Sequence, residues 1–398
     1  MKAAVLTING GSSSIKFAVY APGESPQRLL AGEIERIGLA NAVLSAKAVG
    51  QFSENHPVDA PDHEHAVDQL IHWLEKRAGL NTVAAIGHRV VHGGARYFEA
   101  QLITPELIDE LKRLSSLDPA HLPGEIALIE AFGRRVPGLP QVACFDTAFH
   151  HEIPNVARLL PLPRRYEAAG VRRYGFHGLS YAFVMAELAR TAGSQAARGR
   201  LVLAHLGAGA SMAAVRAGKC IDTTMAFTPT AGLVMATRSG DLDPGVLVYL
   251  MRREQMNADQ IDDLVNRRSG LLGISEVSSD MRDLLARQSG DPRAADAVAL
   301  FCYQAKKWIG AFAAALGGLE TVVFTGGIGE NAPEVRANIC HGLDFLGIQL
   351  DESRNAANAA VISADASPST VRVIRTNEEL MIAMEVQRLL GDHLIKQP

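Results

Sequence analysis

Two stretches decide how this chain folds: VLTINGGSSSIKF (Val5–Phe17) and LVLAHLGAGASMAAV (Leu201–Val215). Each runs from an apolar strand through a small-residue turn into a second apolar strand. Ala3–Ile8 and Ile15–Tyr20 read as strands around Asn9–Ser14, and Leu201–Leu206 and Met212–Val215 as strands around Gly207–Ser211. Glycine in such turns lets backbone N–H groups approach an anion with no Cβ in the way. The two hairpins lie about 200 residues apart, half the chain. That spacing predicts two related α/β halves, each opening with a hairpin whose turn suits phosphate. A third glycine-rich turn, Thr325–Asn331, follows the strand-like Thr321–Phe324.

Outward from the hairpins, helix and strand patterns alternate. Val67, Leu70, Ile71 and Leu74 predict a helix over Asp62–Ala78, stopped by Gly79. Val83–Ile86 and Val90–Val91 are strand-like and surround His88 and Arg89. Thr104 followed by Pro105 is a cap with proline at the first helical position, and Leu107, Ile108, Leu111 and Leu114 form the stripe behind it. Val142–Phe145 reads as a strand, and the proline-rich Pro154–Pro163 beyond it marks a domain boundary. Further helices are expected from Gly178 to about Arg190, over Pro244–Arg253, Ala258–Asn266 and Ala294–Leu316, and after the N-cap Asn377. The expected division is an N-terminal domain of residues 1–150 joined by the C-terminal helix 377–398, and a nucleotide-binding domain over 151–376.

Composition removes several classes. The 398 residues suit two or three domains, and 47% hydrophobic with 21% charged residues excludes disorder and coiled coil. A net charge of −4 gives no global field to attract nucleic acid or an anionic membrane. Cys144, Cys220, Cys302 and Cys340 are too far apart for a zinc site, and so few in so long a chain fit a reducing cytosol. The longest apolar run, near Ile309–Leu316, falls well short of the ~18 residues of a membrane span. We expect a soluble cytoplasmic protein with no nucleic-acid or membrane partner. The pairs His63/His65 and His150/His151 have no third ligand nearby in sequence and read as surface or structural.

Single motifs leave the kind of phosphate site open. No GxxxxGK[ST] loop is present. Gly327-x-Gly329-x-x-Ala332, with Asp344 or Asp351 about 20 residues on, is a weak dinucleotide match that would make the chain an NAD-dependent oxidoreductase. It explains neither hairpin turn. Two hairpin turns and one strand–helix turn form the arrangement of actin-like, hexokinase-like ATPases, among which a non-enzymatic ATP switch is a further alternative.

Eight motifs then occur in order: VLTINGGSSSIKF, GHRVVHGG (Gly87–Gly94), FDTAFH (Phe145–His150), YGFHGLSY (Tyr174–Tyr181), HLGAGAS, FTPTAGLVMATRSGDLDP (Phe227–Pro244), FTGGIGENAPEVR (Phe324–Arg336) and TNEELMIA (Thr376–Ala383). Together they resemble the acetate kinase family across nearly the whole chain. The resemblance implies two related ribonuclease-H-like domains of the actin-like ATPase superfamily with an interdomain nucleotide cleft. It also implies a homodimer, with Mg2+ or Mn2+ as cofactor and ATP/ADP as co-substrate. The implied reaction is reversible transfer of the γ-phosphoryl of ATP to a short-chain carboxylate, acetate and also propionate, giving an acyl phosphate and ADP. Such a carboxylate is already ionised at neutral pH and needs no strong base. Bringing two anions together is the difficulty, so positioning and positive charge should dominate.

Residue roles follow from the same resemblance. Arg89 binds substrate, Arg238 stabilises the transferring phosphoryl, and His177, expected near a helix N-terminus, donates to it. His121 falls where the family has an active-site histidine, within flanks (LDPAHLPGE, Leu117–Glu125) that depart from its pattern. Asp146 matches the essential aspartate, and we expect it to orient Arg89 or a magnesium-bound water. Asn9 and Glu378 are the metal-linked positions, while Ser12 and Lys16 contact phosphate. The nucleotide is expected on His205, Leu206, Gly207, Ala208 and Gly209, on Asp280, Met281 and Arg282, and on Gly326, Gly327, Ile328, Gly329, Glu330 and Asn331. Val91, Ala120, Phe176 and Pro229 would line the acyl pocket.

Two positions depart from the family pattern. Ala208 stands where asparagine is common, which removes one side-chain hydrogen bond and should alter the KM for ATP without abolishing activity. Ala120 stands where leucine is usual, which should enlarge the pocket enough for propionate to rival acetate.

Overall fold

The computed structural model describes residues 4–11, 13–39, 41–50, 53–77, 82–119 and 121–391. They divide into two compact units, Met1–Phe149 with Asn377–Pro398, and His150–Thr376. Ser12 and Ala120 lie outside the described residues.

The first unit is built on strands β1 (Ala4–Gly10), β2 (Ser14–Ala21), β3 (Gln27–Glu35), β4 (Ala42–Ala48), β5 (Glu54–Val58), β6 (Val83–Val90), β7 (Gln101–Leu102) and β8 (Gln141–Phe145). Their order in the sheet is β5-β4-β3-β2-β1-β6-β8-β7. β1 pairs antiparallel with β2, with Asn9 opposite Lys16, and parallel with β6. The helices His63–Arg77 and Leu122–Arg135 bury Val67, Leu70, Leu74, Leu128 and Phe132 in one core with Leu6, Ile8, Ile15 and Phe17. The helix Glu378–Leu390, capped by Asn377, buries Ile382, Ala383, Val386 and Leu390 and packs on β1, β6 and β8. Its approach is close: a Cβ on Gly87 would overlap the side chains of Ile382 and Val386.

The second unit holds β9 (Arg200–Leu206), β10 (Ala210–Arg216), β11 (Lys219–Thr223), β12 (Thr321–Thr325) and β13 (Thr370–Val373), in the order β11-β10-β9-β12-β13. Two antiparallel pairs, β9–β10 and β10–β11, are followed by two parallel ones, β9–β12 and β12–β13. The same succession runs through β3-β2-β1-β6-β8 in the first unit. The half-chain repeat seen in the turns is thus a repeat of sheet topology, with β4, β5 and β7 added to the first copy. This mixed order also corrects the dinucleotide reading of Gly327–Ala332. β12, the strand before that turn, is flanked by parallel strands, but β9, β10 and β11 run antiparallel, unlike the mostly parallel doubly wound sheet to which that motif belongs.

Candidate active site

In the first unit, β6 and the β8 end carry a buried charge cluster. Asp146 Oδ2 accepts from Arg89 Nε at 3.0 Å and from Nη2 at 2.6 Å. Asp146 Oδ1 is buried without a hydrogen-bond partner among the described residues. Glu125, on the Leu122–Arg135 helix, lies 3.4 Å from Arg89 Nη1 and takes the Val91 N–H at 2.8 Å. Arg89 retains 15% side-chain exposure, against 3% for Glu125 and 1% for Asp146. Burial opposes the charge on Arg89, but the acidic side chains around it, Asp146 above all, outweigh it and hold the guanidinium firmly protonated. Burial pushes Glu125 up to about 8 despite Arg89.

Glu378 stands at the first turn of the C-terminal helix, with Asn9 Nδ2 donating to its Oε2 at 3.1 Å. Burial first, and then the charge of Asp146, raises it to about 7. The sequence expectation gave Arg89 and Asp146 as catalytic and Asn9 and Glu378 as metal-linked, and the fold of the first unit brings these four together. Glu125 was missed as a member of the site. Its signal was an acidic side chain in the first turn of a helix following a proline, which reads equally as a dipole partner.

The other first-unit candidates sit differently. His121 occupies the N-cap position of the Leu122–Arg135 helix, its Nδ1 2.9 Å from Asp118 Oδ1. Lys16 is exposed on β2 and lines a separate cleft of about 330 Å³ with Arg28, Glu33, Lys47 and Glu379. His88 is structural: buried against Phe132 and bonded to Gln141, it is pushed down to about 4 by burial. His63 bonds the Gly11 carbonyl and His65 bonds Asp62.

In the second unit, a cleft of about 670 Å³ is lined by Gly207, Ala208, Asp280, Met281, Arg282, Gly327, Ile328 and Asn331, all expected at the nucleotide. Ala236, Ser279, Leu285 and the segment Ala332–Glu334 complete it. Asp280 caps the Met281–Arg287 helix and pairs with the Arg282 guanidinium. Leu206, Gly326 and Gly329 are buried and shape the turn from behind. Gly326 has φ +77°, and a Cβ there would lie 2.7 Å from the Leu206 carbonyl oxygen, so only glycine fits. Glu330 turns inward, where its Oε1 takes the N–H groups of Gly326 and Thr376, both at 3.0 Å.

His177 is the N-cap of the Gly178–Ala192 helix, in the left-handed conformation at φ +60°. Its ring stacks on His205, with centroids 4.2 Å apart and planes 22° from parallel. Gly209 lies against the side chains of His177 and Arg238, since a Cβ there would be 3.2 Å from His177 Nε2 and 3.9 Å from Arg238 Nη1. Arg238 Nη1 donates to the Pro229 carbonyl at 3.1 Å. Phe176 is buried, and its carbonyl accepts from His150 Nε2 at 2.9 Å. A left-handed non-glycine residue beside a glycine-rich turn is the kind of strained conformation that collects at functional sites.

Residues 4–384 match the model of the Acetokinase family. The chain is 46% identical over 396 residues to an acetate kinase of Rhodopseudomonas palustris, covering 98% of this chain and 99% of that one. It is 45% identical to a propionate kinase of Citrobacter rodentium, covering 97% and 96%. Among solved structures, it resembles an acetate kinase of Porphyromonas gingivalis (TM-score 0.89, 38% identity, 98% and 100% covered). A propionate kinase of Francisella tularensis is equally similar (TM-score 0.91, 36% identity, 96% and 98% covered).

Proposed function

Because this chain belongs to the acetokinase family and, like its relatives, phosphorylates short-chain carboxylates with ATP, we propose how its residues divide that work. The nicotinamide and non-enzymatic-switch readings find no support among these relatives. The acceptors we propose are acetate and propionate, each converted reversibly to its acyl phosphate.

One observation carries the assignment. Arg89 is clamped by a single oxygen of Asp146 and is 15% exposed, while the other Asp146 oxygen is buried and has no partner among the described residues. A guanidinium held rigid in this way is a preorganised counter-charge for a carboxylate or phosphoryl oxygen, and costs little reorganisation when the anion arrives. Asp146 is therefore an orienting group, and Glu125 buttresses Arg89 from its Nη1 side. Contacts with the acyl group are proposed for Val91 and Ala120 and, separately, for Phe176 and Pro229. Arg238 and His177, placed at the Gly207–Gly209 turn, would receive the phosphoryl oxygens. The nucleotide would occupy the cleft between that turn, Asp280–Arg282 and Gly326–Asn331.

The residues present fit a divalent cation. Among the described residues Asp146 Oδ1 lacks a partner, Glu378 is a carboxylate close enough to feel the charge of Asp146, and Asn9 contributes an amide. Among the described residues no cluster of three or more His, Cys, Asp and Glu exists to cage a metal. Magnesium suits such a sparse oxygen set, because it keeps waters and takes phosphate oxygens as ligands. Mg2+ or Mn2+ bound there would neutralise phosphate charge.

A homodimer is supported by the helices Pro244–Arg253 and Ala258–Arg267. Neither buries a residue, and Val248 and Tyr249 are 45% and 61% exposed. A cytoplasmic location is supported by four buried cysteines, all free.

Trapping with hydroxylamine tests the function. ATP, Mg2+ and a panel of C1–C5 carboxylates should give hydroxamate with acetate and propionate. Hydroxamate from neither would refute the assignment. A kcat/KM for propionate a hundredfold below that for acetate would refute the enlarged pocket.

A further inference from the structure

The turn that places His177 is tied to two hydroxyl groups that have no role in the reading above. Ser211, on β10 and opposite His205 in the β9–β10 register, is fully buried. Its Oγ lies 2.9 Å from His177 Nδ1 and 2.5 Å from the hydroxyl of Tyr181. Tyr181, one helical turn beyond His177, is also fully buried, and its ring meets His150 edge-on at 5.7 Å. His150 in turn holds the Phe176 carbonyl, next to His177 in the chain. Burial pushes His150 down to about 4, so this link is held by a neutral ring. A closed circuit of buried contacts thus surrounds the imidazole on its Nδ1 side.

We infer that Ser211 and Tyr181 are positioning residues for phosphoryl transfer: they fix the plane of the His177 ring and its tautomer. The inference rests on the reading of His177 as a donor to the phosphoryl. A phenol is a better proton donor than an aliphatic hydroxyl, so the short contact runs from Tyr181 O–H to Ser211 Oγ. Ser211 then gives its own hydrogen to His177 Nδ1. Nδ1 is the acceptor, and the proton of the neutral ring sits on Nε2, the atom facing Gly209. His177 can therefore donate to an incoming phosphoryl oxygen without first being protonated from solvent. Stacking on His205, whose Nδ1 is itself 2.8 Å from the Ser180 hydroxyl, blocks rotation out of that plane.

The test uses the full-length enzyme with variants Ser211→Ala, Tyr181→Phe and His177→Gln. Ser211→Ala removes only a hydroxyl and should lower kcat by ~10–100-fold, the scale of a misplaced catalytic group, with the KM for ATP changed less than threefold. Tyr181→Phe should have a smaller effect in the same direction. In the His177→Gln background, Ser211→Ala should cost less than a further twofold, because its effect runs through the imidazole. Long-range 15N–1H spectra should show His177 of the unmodified enzyme protonated on Nε2, with Nδ1 protonation appearing in Ser211→Ala.

Full additivity of the Ser211 and His177 effects, or a His177 ring already protonated on Nδ1, overturns the inference. So does a Ser211→Ala enzyme with unchanged kcat. His177→Gln with unchanged kcat overturns instead the reading of His177 on which the inference stands.

Discussion

Replacing Glu125 by glutamine probes the charge cluster most directly. Glu125 is 3% exposed, and burial raises it from an ordinary 4.5 to about 8. A group raised in the folded state contributes stability that is whole below its unfolded pKa and is lost as pH climbs through the folded one. Here the window is pH 4.5 to 8. The full span corresponds to roughly 5 kcal/mol at ~1.4 kcal/mol per pH unit, an upper bound, and relaxation of the site should leave ~2–3 kcal/mol. Glutamine mimics the protonated acid at every pH. The variant and the parent should therefore differ by a nearly constant amount below about pH 4. Between pH 4.5 and 8 the variant should gain ~2–3 kcal/mol relative to the parent. Urea unfolding of both proteins at four pH values in that range measures it. A difference independent of pH would show that Glu125 is ionised throughout, and would refute the picture of Arg89 balanced mainly by Asp146.

Four other outcomes are expected. Asp146→Asn should lower kcat roughly 100-fold or more and raise the Mg2+ concentration for half-maximal rate; a lost ionisation in the pH–rate profile with unchanged Mg2+ dependence would instead make Asp146 a proton carrier. Glu378→Gln should raise the Mg2+ requirement ~10-fold with the KM for acetate within threefold, as read from metal titrations of initial rate. Ala208→Asn should lower the KM for ATP by about 2–10-fold, the worth of one added hydrogen bond, and an unchanged KM would place the nucleotide away from that turn. Gly87→Ala should destabilise the protein by ~1–3 kcal/mol through overlap with Ile382 and Val386, and an unfolding midpoint equal to the parent's would refute that contact.

Much of the secondary structure was legible because its signals are local. The strand–turn–strand stretches became β1–β2 and β9–β10, and Thr104–Pro105 and Asn377 cap helices as read. The meander β3–β5 was not anticipated. Its residues include Gly32, Glu33, Lys47 and Pro57, which weaken any alternation signal, and its pairing is set by neighbours in the sheet. The helix Leu122–Arg135 was likewise overlooked, since Pro123 and Gly124 stand at its start. The site residues proposed on glycine turns come from motifs. Those acting from behind, such as Glu125, Ser211 and Tyr181, carry side chains whose partners lie far away in sequence. His177 shows the limit clearly: the helix end was expected, but its left-handed backbone and its stack on His205 come from tertiary packing.

The helix Glu378–Leu390 belongs to the first unit yet is encoded after the whole of the second. During synthesis, β1, β6 and β8 must wait with one face bare while the intervening unit emerges and folds. Gly87, whose missing side chain makes room for that helix, is then an exposed notch on an incomplete sheet. The nascent protein thus ripens out of order, with its amino-terminal unit sealed only by a helix made after the whole of the second unit.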